Sequence, residues 1–96
     1  LALYRQHPLA GSAALTLSSV KDEKWISLRD PEGMGLEQYF YDVCYGAGFQ
    51  PEVVQNATDV PTVISLVSAG FGMALLPASA RAVSVENVVY VDIIEG

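Results

Sequence analysis

Apolar and polar positions follow two rhythms along the chain. Short, largely apolar runs at residues 1–4, 25–28, 73–76 and 88–91 read as strands, as does the more polar stretch 52–56; Pro51, Gly72, Pro77, Asn87 and Asp92 punctuate the last three. Leu36, Phe40, Val43 and Ala47 recur at i, i+4, i+7 and i+11. That spacing predicts a helix over Leu36–Gly46 with the stripe turned to the core and Tyr39 and Cys44 at its edges; Gly46 and Gly48 end it through a left-handed cap. A second helix starts after Thr58 or Asp59 as N-cap, accepts Pro61 in its first turn, reaches Ala69 and stops at Gly70. Residues 16–23, with Thr16 or Ser18 as cap, and residues 78–82 read as short helical turns. The run at 73–76 is apolar at every position, as in a strand covered on both sides. Strands alternating with helices over short connections predict an α/β fold of three layers, a largely parallel sheet flanked by helices. In such folds ligands bind at the carboxyl ends of the strands, beside helix N-termini.

Length and charge narrow this further. Ninety-six residues make one compact unit, too short for two independent cores. Net charge is −6, and the five cations, Arg5, Lys21, Lys24, Arg29 and Arg81, are scattered, so no direct DNA contact by this chain is expected. No apolar run approaches the ~20 residues that span a bilayer, and no secretory leader opens the chain. The chain begins at Leu1 rather than Met, as a piece of a longer protein would. One cysteine, Cys44, allows no internal disulfide and fits a reducing, cytoplasmic setting. Without a leader, the Asn56-Ala57-Thr58 sequon reads as accidental.

Candidate chemistry collects at two strand-to-helix connections. The first is Arg29, Asp30, Pro31, Glu32, Gly33, Met34 and Gly35. Its glycines let backbone N–H groups approach a ligand, the helix behind adds partial positive charge, and Arg29 offers a bidentate carboxylate contact. The competing reading is an ordinary connection in which Arg29 pairs with Asp30 or Glu32. The second is Thr58, Asp59 and Val60, read first as a helix cap and second as ligand contacts on the same sheet edge. On the first helix Gln38, Tyr41 and Tyr45 face away from the apolar stripe; they suit an interface, or are solvated tyrosines in a local i, i+4 pair. Pro61, Ser65 and Ser68 give the second helix a side of small residues, either a close-approach surface or its solvent face. Gly70-Phe71-Gly72 follows a helix and precedes a strand, the wrong order for a phosphate loop. His7 has no metal-spaced partner and no serine elbow, and Cys44 reads as a small core residue. No nucleophile–base pair or cofactor loop emerges, so neither enzyme chemistry nor a cofactor is expected.

Several segments together resemble the effector-binding region of LysR-type transcriptional regulators. His7-Pro8-Leu9-Ala10 is similar to the family's H-P-L-A segment, and residues 17–25 to the L-x-D-L-x-D-E-P-F stretch. Residues 46–51 (Gly-Ala-Gly-Phe-Gln-Pro) resemble the A-G-F-x-P turn. Residues 65–79, Ser-Leu-Val-Ser-Ala-Gly-Phe-Gly-Met-Ala-Leu-Leu-Pro-Ala-Ser, resemble L-V-A-A-G-L-G-V-A-L-V-P-A-S. The last match is long and specific, and together they span nearly all of residues 1–91.

The resemblance implies a periplasmic-binding-protein-like subdomain, the second of two in an effector-binding domain that stands behind a winged helix-turn-helix. Residues 1–96 are then a single α/β unit holding half a cleft for a small-molecule effector, a carboxylate or an aromatic, with Arg29 to Gly35 and Thr58 to Val60 lining it. Asp30 and Glu32 depart from the family's short polar loop toward negative charge. The resemblance also implies a homo-oligomer, dimer or tetramer, in which Leu36–Gly46 meets a neighbouring protomer, and no membrane. The alternative is a lobe of a periplasmic-type solute-binding protein, which shares the architecture.

Overall fold

The computed structural model describes residues 1–29, 35–82 and 85–94. The strands are β1 (Ala2–Tyr4), β2 (Ala14–Leu15), β3 (Lys24–Leu28), β4 (Glu52–Ala57), β5 (Val88–Tyr90) and β6 (Asp92–Ile93). The α-helices are α1 (Leu36–Gly46) and α2 (Val60–Ser68), with 3-10 turns at Leu17–Val20 and Ala78–Ala82. The short helical turn expected at residues 16–23 is a 3-10 turn confined to Leu17–Val20. Thr16 precedes it without a side-chain cap, while Ser19 Oγ donates to the Thr16 carbonyl at 2.6 Å.

β4 pairs with β3 in parallel, and Trp25 bridges to Met73 in parallel. Ala2 bridges to Ala74 and β1 pairs with β5, both antiparallel. The strands therefore run side by side in the order β4, β3, Met73–Ala74, β1, β5, and β1 alone is reversed. β2 and β6 form a separate parallel pair. Both are too short for a hydrophobic period to show, and neither was expected from the sequence. Of the apolar run at 73–76, only Met73 and Ala74 join the sheet.

Strand alternation sends side chains to two cores. Leu3, Trp25 and Met73 pack with Phe40 and Cys44 under α1. Ala2, Ile26 and Ala74 pack with Val63, Ile64 and Val67 of α2. These are the three expected layers, with a helix on each face of the sheet. β4 obeys the alternation only in halves. Val53 packs on the α1 side and Ala57 on the α2 side, although both are odd-numbered. The register explains this: Trp25 opposes Val53 but Ile26 opposes Gln55. One extra residue, Val54, bulges out, and every later side chain changes face. Gly72 marks the closest backbone approach, since a Cβ there would lie 2.7 Å from the Lys24 carbonyl oxygen. The glycines at 70 and 72 thus make a turn from helix to strand.

Candidate functional site

β3 and β4 end side by side at the carboxyl edge of the sheet. Leu28 opposes Ala57, and the Arg29 amide donates to the Ala57 carbonyl at 2.7 Å. That bond places the Arg29 connection beside the Thr58–Asp59 connection. Asp59 is the N-cap of α2: its Oδ1 accepts from the Thr62 amide at 2.8 Å and its Oδ2 from Thr62 Oγ1 at 3.0 Å. Those bonds to the ionised form hold its carboxyl below the usual range, the backbone bond contributing most. Thr58 is exposed, and Val60 packs against the α2-side core.

Asp30, Pro31, Glu32, Gly33 and Met34 lie outside the described residues. Gly35 takes the left-handed conformation, φ 84°, and opens α1 without a side-chain cap. Among the described residues Arg29 meets Glu37, with Nε 4.0 Å from Glu37 Oε2; the expected partners Asp30 and Glu32 lie outside the described residues. The same carboxylate oxygen accepts from Ser27 Oγ at 3.1 Å. Ser27 is the buried polar residue of the core, at 1% exposure. Nothing in a strand pattern singled out Ser27 or Glu37; one signal was available, a serine on the strand face otherwise given to Trp25.

An apolar groove of about 890 Å³ opens between α1 and the end of β3, lined by residues from both faces of the sheet. Leu28, Leu36, Val43, Leu75, Leu76 and Ile93 line it, together with Thr16 to Ser18, Pro77 and Ala78. Thr58, Asp59 and Val60 stand outside it. The groove corrects the reading of α1. Leu36, Val43 and Ala47 are half-buried groove residues, while Phe40 and fully buried Cys44 face the sheet. Burial pushes the Cys44 thiol up to about 11. The tyrosines separate as well. Tyr45 is 53% exposed, as expected. Tyr41 is not turned outward; it is half-buried, packs against the α1-side core and tilts onto Phe40 at 5.3 Å between ring centroids. Burial raises its phenol pKa, with Glu37 and Tyr45 adding and Arg29 and a Ser27 hydrogen bond offsetting. The two tyrosine rings are 6.2 Å apart. Gln38 is exposed and donates to Asp42 at 2.8 Å.

The opposite edge is structural. His7 Nδ1 accepts from the Leu9 amide at 3.0 Å, so Nε2 carries the proton and donates to Glu23 at 2.8 Å. Pro61 and Ser65 of α2 are exposed and Ser68 is half-buried, so the small-residue side is open in this lobe. No group of three His, Cys, Asp or Glu among the described residues is placed to hold a metal ion.

A three-layer lobe with an apolar groove and a polar rim at the carboxyl ends of its strands defines a ligand-binding α/β unit. The family model described as the LysR substrate binding domain matches residues 1–95, and the chain belongs to that family. It is 42% identical over 81 residues to the transcriptional regulator AlsR of Bacillus subtilis, covering 84% of this chain and 27% of that protein. It is 34% identical over 90 residues to the transcriptional regulator BudR of Raoultella terrigena, covering 94% of this chain and 31% of that one. The chain thus spans about three tenths of the length of these relatives. Among solved structures it superposes on the effector-binding domain of BenM, determined with its effector benzoate. The TM-score is 0.87, the identity 24%, and the match covers 97% of this chain and 43% of that one. At that identity the likeness is one of fold.

Proposed function

We propose that this chain is the second lobe of the effector-sensing part of a DNA-binding transcriptional regulator. The family match across residues 1–95 carries the reading. Its relatives AlsR and BudR are transcriptional regulators, which favours a regulator over a lobe of a solute-binding protein. The lobe supplies one wall of a cleft, from Arg29 to Gly35 and Thr58 to Val60, and a second lobe closes it over a small organic effector, a carboxylate or an aromatic. The apolar groove, with Thr16 and Ser18 among its lining residues, suits the apolar part of such a molecule, and Arg29, outside the groove, offers a cation to a carboxylate. No reaction is catalysed. The effector acts by binding one relative orientation of the lobes better than another, a coupling of about 1–3 kcal/mol. Gln38 and Tyr45 on α1, both exposed, serve a homo-oligomer contact in the parent, which works in the cytoplasm. No helix among the described residues is long and apolar enough to cross a membrane.

A panel of small carboxylates and aromatics titrated against the isotope-labelled chain tests this. The expected result is weak binding, with amide shifts gathered at Leu28, Arg29 and residues 57–60. Shifts gathered instead at the His7 edge, or turnover of an ester in the panel, would overturn it.

A further inference from the structure

We infer that Glu37, anchored by Ser27, is a built-in counter-ion for Arg29 that sets the charge selectivity of the carboxyl edge. The inference rests on the proposal that this edge receives a ligand. Three observations carry it. The Ser27 hydroxyl, buried in the β3 face, donates to Glu37 Oε2 at 3.1 Å, fixing that carboxylate against the sheet. The same oxygen lies 4.0 Å from Arg29 Nε. The Arg29 backbone is tied to Ala57, and its side chain is 63% exposed, so the guanidinium is open to an approaching ligand while its origin stays fixed.

The consequence is one of charge. Arg29 and Glu37 together are neutral at their meeting point. A ligand carboxylate approaching Arg29 finds an anion already there, held by a hydrogen bond the ligand does not disturb, and meets like-charge repulsion as well as attraction. The pair is long and partly solvated, so it yields to a ligand that makes a shorter, bidentate contact. The wild-type edge therefore distinguishes poorly between a carboxylate and its neutral amide. Removing the Glu37 charge takes away the anion that Arg29 meets among the described residues and sharpens that distinction. Glu37 is a positioning residue here, acting through Arg29.

The competing role for Glu37 is a first-turn acid that stabilises α1 through the helix dipole. That role alters helix stability and leaves ligand selectivity alone, so the two separate in one experiment. Benzoate and benzamide are titrated by NMR against the wild-type chain, Glu37→Gln, and the double variant Arg29→Gln/Glu37→Gln, with circular dichroism confirming that each is folded. In Glu37→Gln the benzoate-to-benzamide affinity ratio rises about two- to fivefold, the range an exposed ion pair is worth. In the double variant the rise disappears. An unchanged ratio, or a rise that survives loss of Arg29, overturns the inference while leaving the ligand site standing. Failure of either probe to shift any resonance at the carboxyl edge, in every form, removes the ligand site and this inference with it.

Discussion

Cys44 shows what a single residue in the core of a small lobe contributes. It has no solvent exposure and sits among Trp25, Phe40 and Met73. Burial disfavours the thiolate and moves the thiol from 9.0 to about 11. A pKa raised by folding gives stability that is complete below the unfolded value and is lost as pH climbs through the folded one. Cys44 therefore supplies stability that is intact below pH 9.0 and gone above about 11. A shift of this size is worth about 2–3 kcal/mol at most. Urea unfolding of the wild type and of Cys44→Ala, followed across that window, should show the wild type losing its advantage as the pH rises. Parallel curves for the two would show that the thiol does not ionise on unfolding. The same burial keeps Cys44 from thiol reagents until the chain unfolds.

At the scale of one element, α1 separates what its sequence discloses from what it conceals. Its limits were legible: Leu36–Gly46 follows from the i, i+4, i+7 spacing and the glycines on either side. Its rotation was not. The stripe Leu36, Phe40, Val43 and Ala47 is apolar, yet only Phe40 is buried in the core, and the others face the groove. Periodicity reports that a face avoids water, not whether its own sheet or a cleft covers it. β4 hides its bulge for a related reason, since an extra residue leaves composition unchanged and only pairing with β3 exposes it. Of the candidate site, the carboxyl edge and the pairing of the two connections followed from strand order. Ser27, Glu37 and Leu75 did not, because their roles depend on which neighbour they reach. The rotation also divides the two tyrosines. Tyr45→Ala should leave the melting temperature of the chain within error, since that ring is largely in water. Tyr41→Ala removes a ring packed on Phe40 and should cost about 1–3 kcal/mol in chemical denaturation. Equal losses from both would place Tyr45 in the core.

The whole molecule is most unusual at one edge. Strand ends, the 3-10 turn at Ala78–Ala82 and the β2–β6 pair meet around an apolar groove, while the solvent faces of α2 and the His7–Glu23 clasp are polar. Leu28, Leu36, Leu75 and Ile94 contribute to that groove, and Ile94 is 53% exposed. A surface of this kind is costly to leave in water, and its natural cover in the proposed regulator is the opposing lobe. Without that cover, two copies of this lobe gain by placing their grooves together, and the net charge of −6 resists them only while salt is low. The isolated chain should therefore show a mass in light scattering that rises with concentration and rises further with added salt. Ile94→Asp places a charge at the rim of the groove without entering either core, so it should return the mass to that of a monomer while the melting temperature holds. A monomer mass independent of concentration in both salt conditions would mean that the bare groove does not drive two copies together.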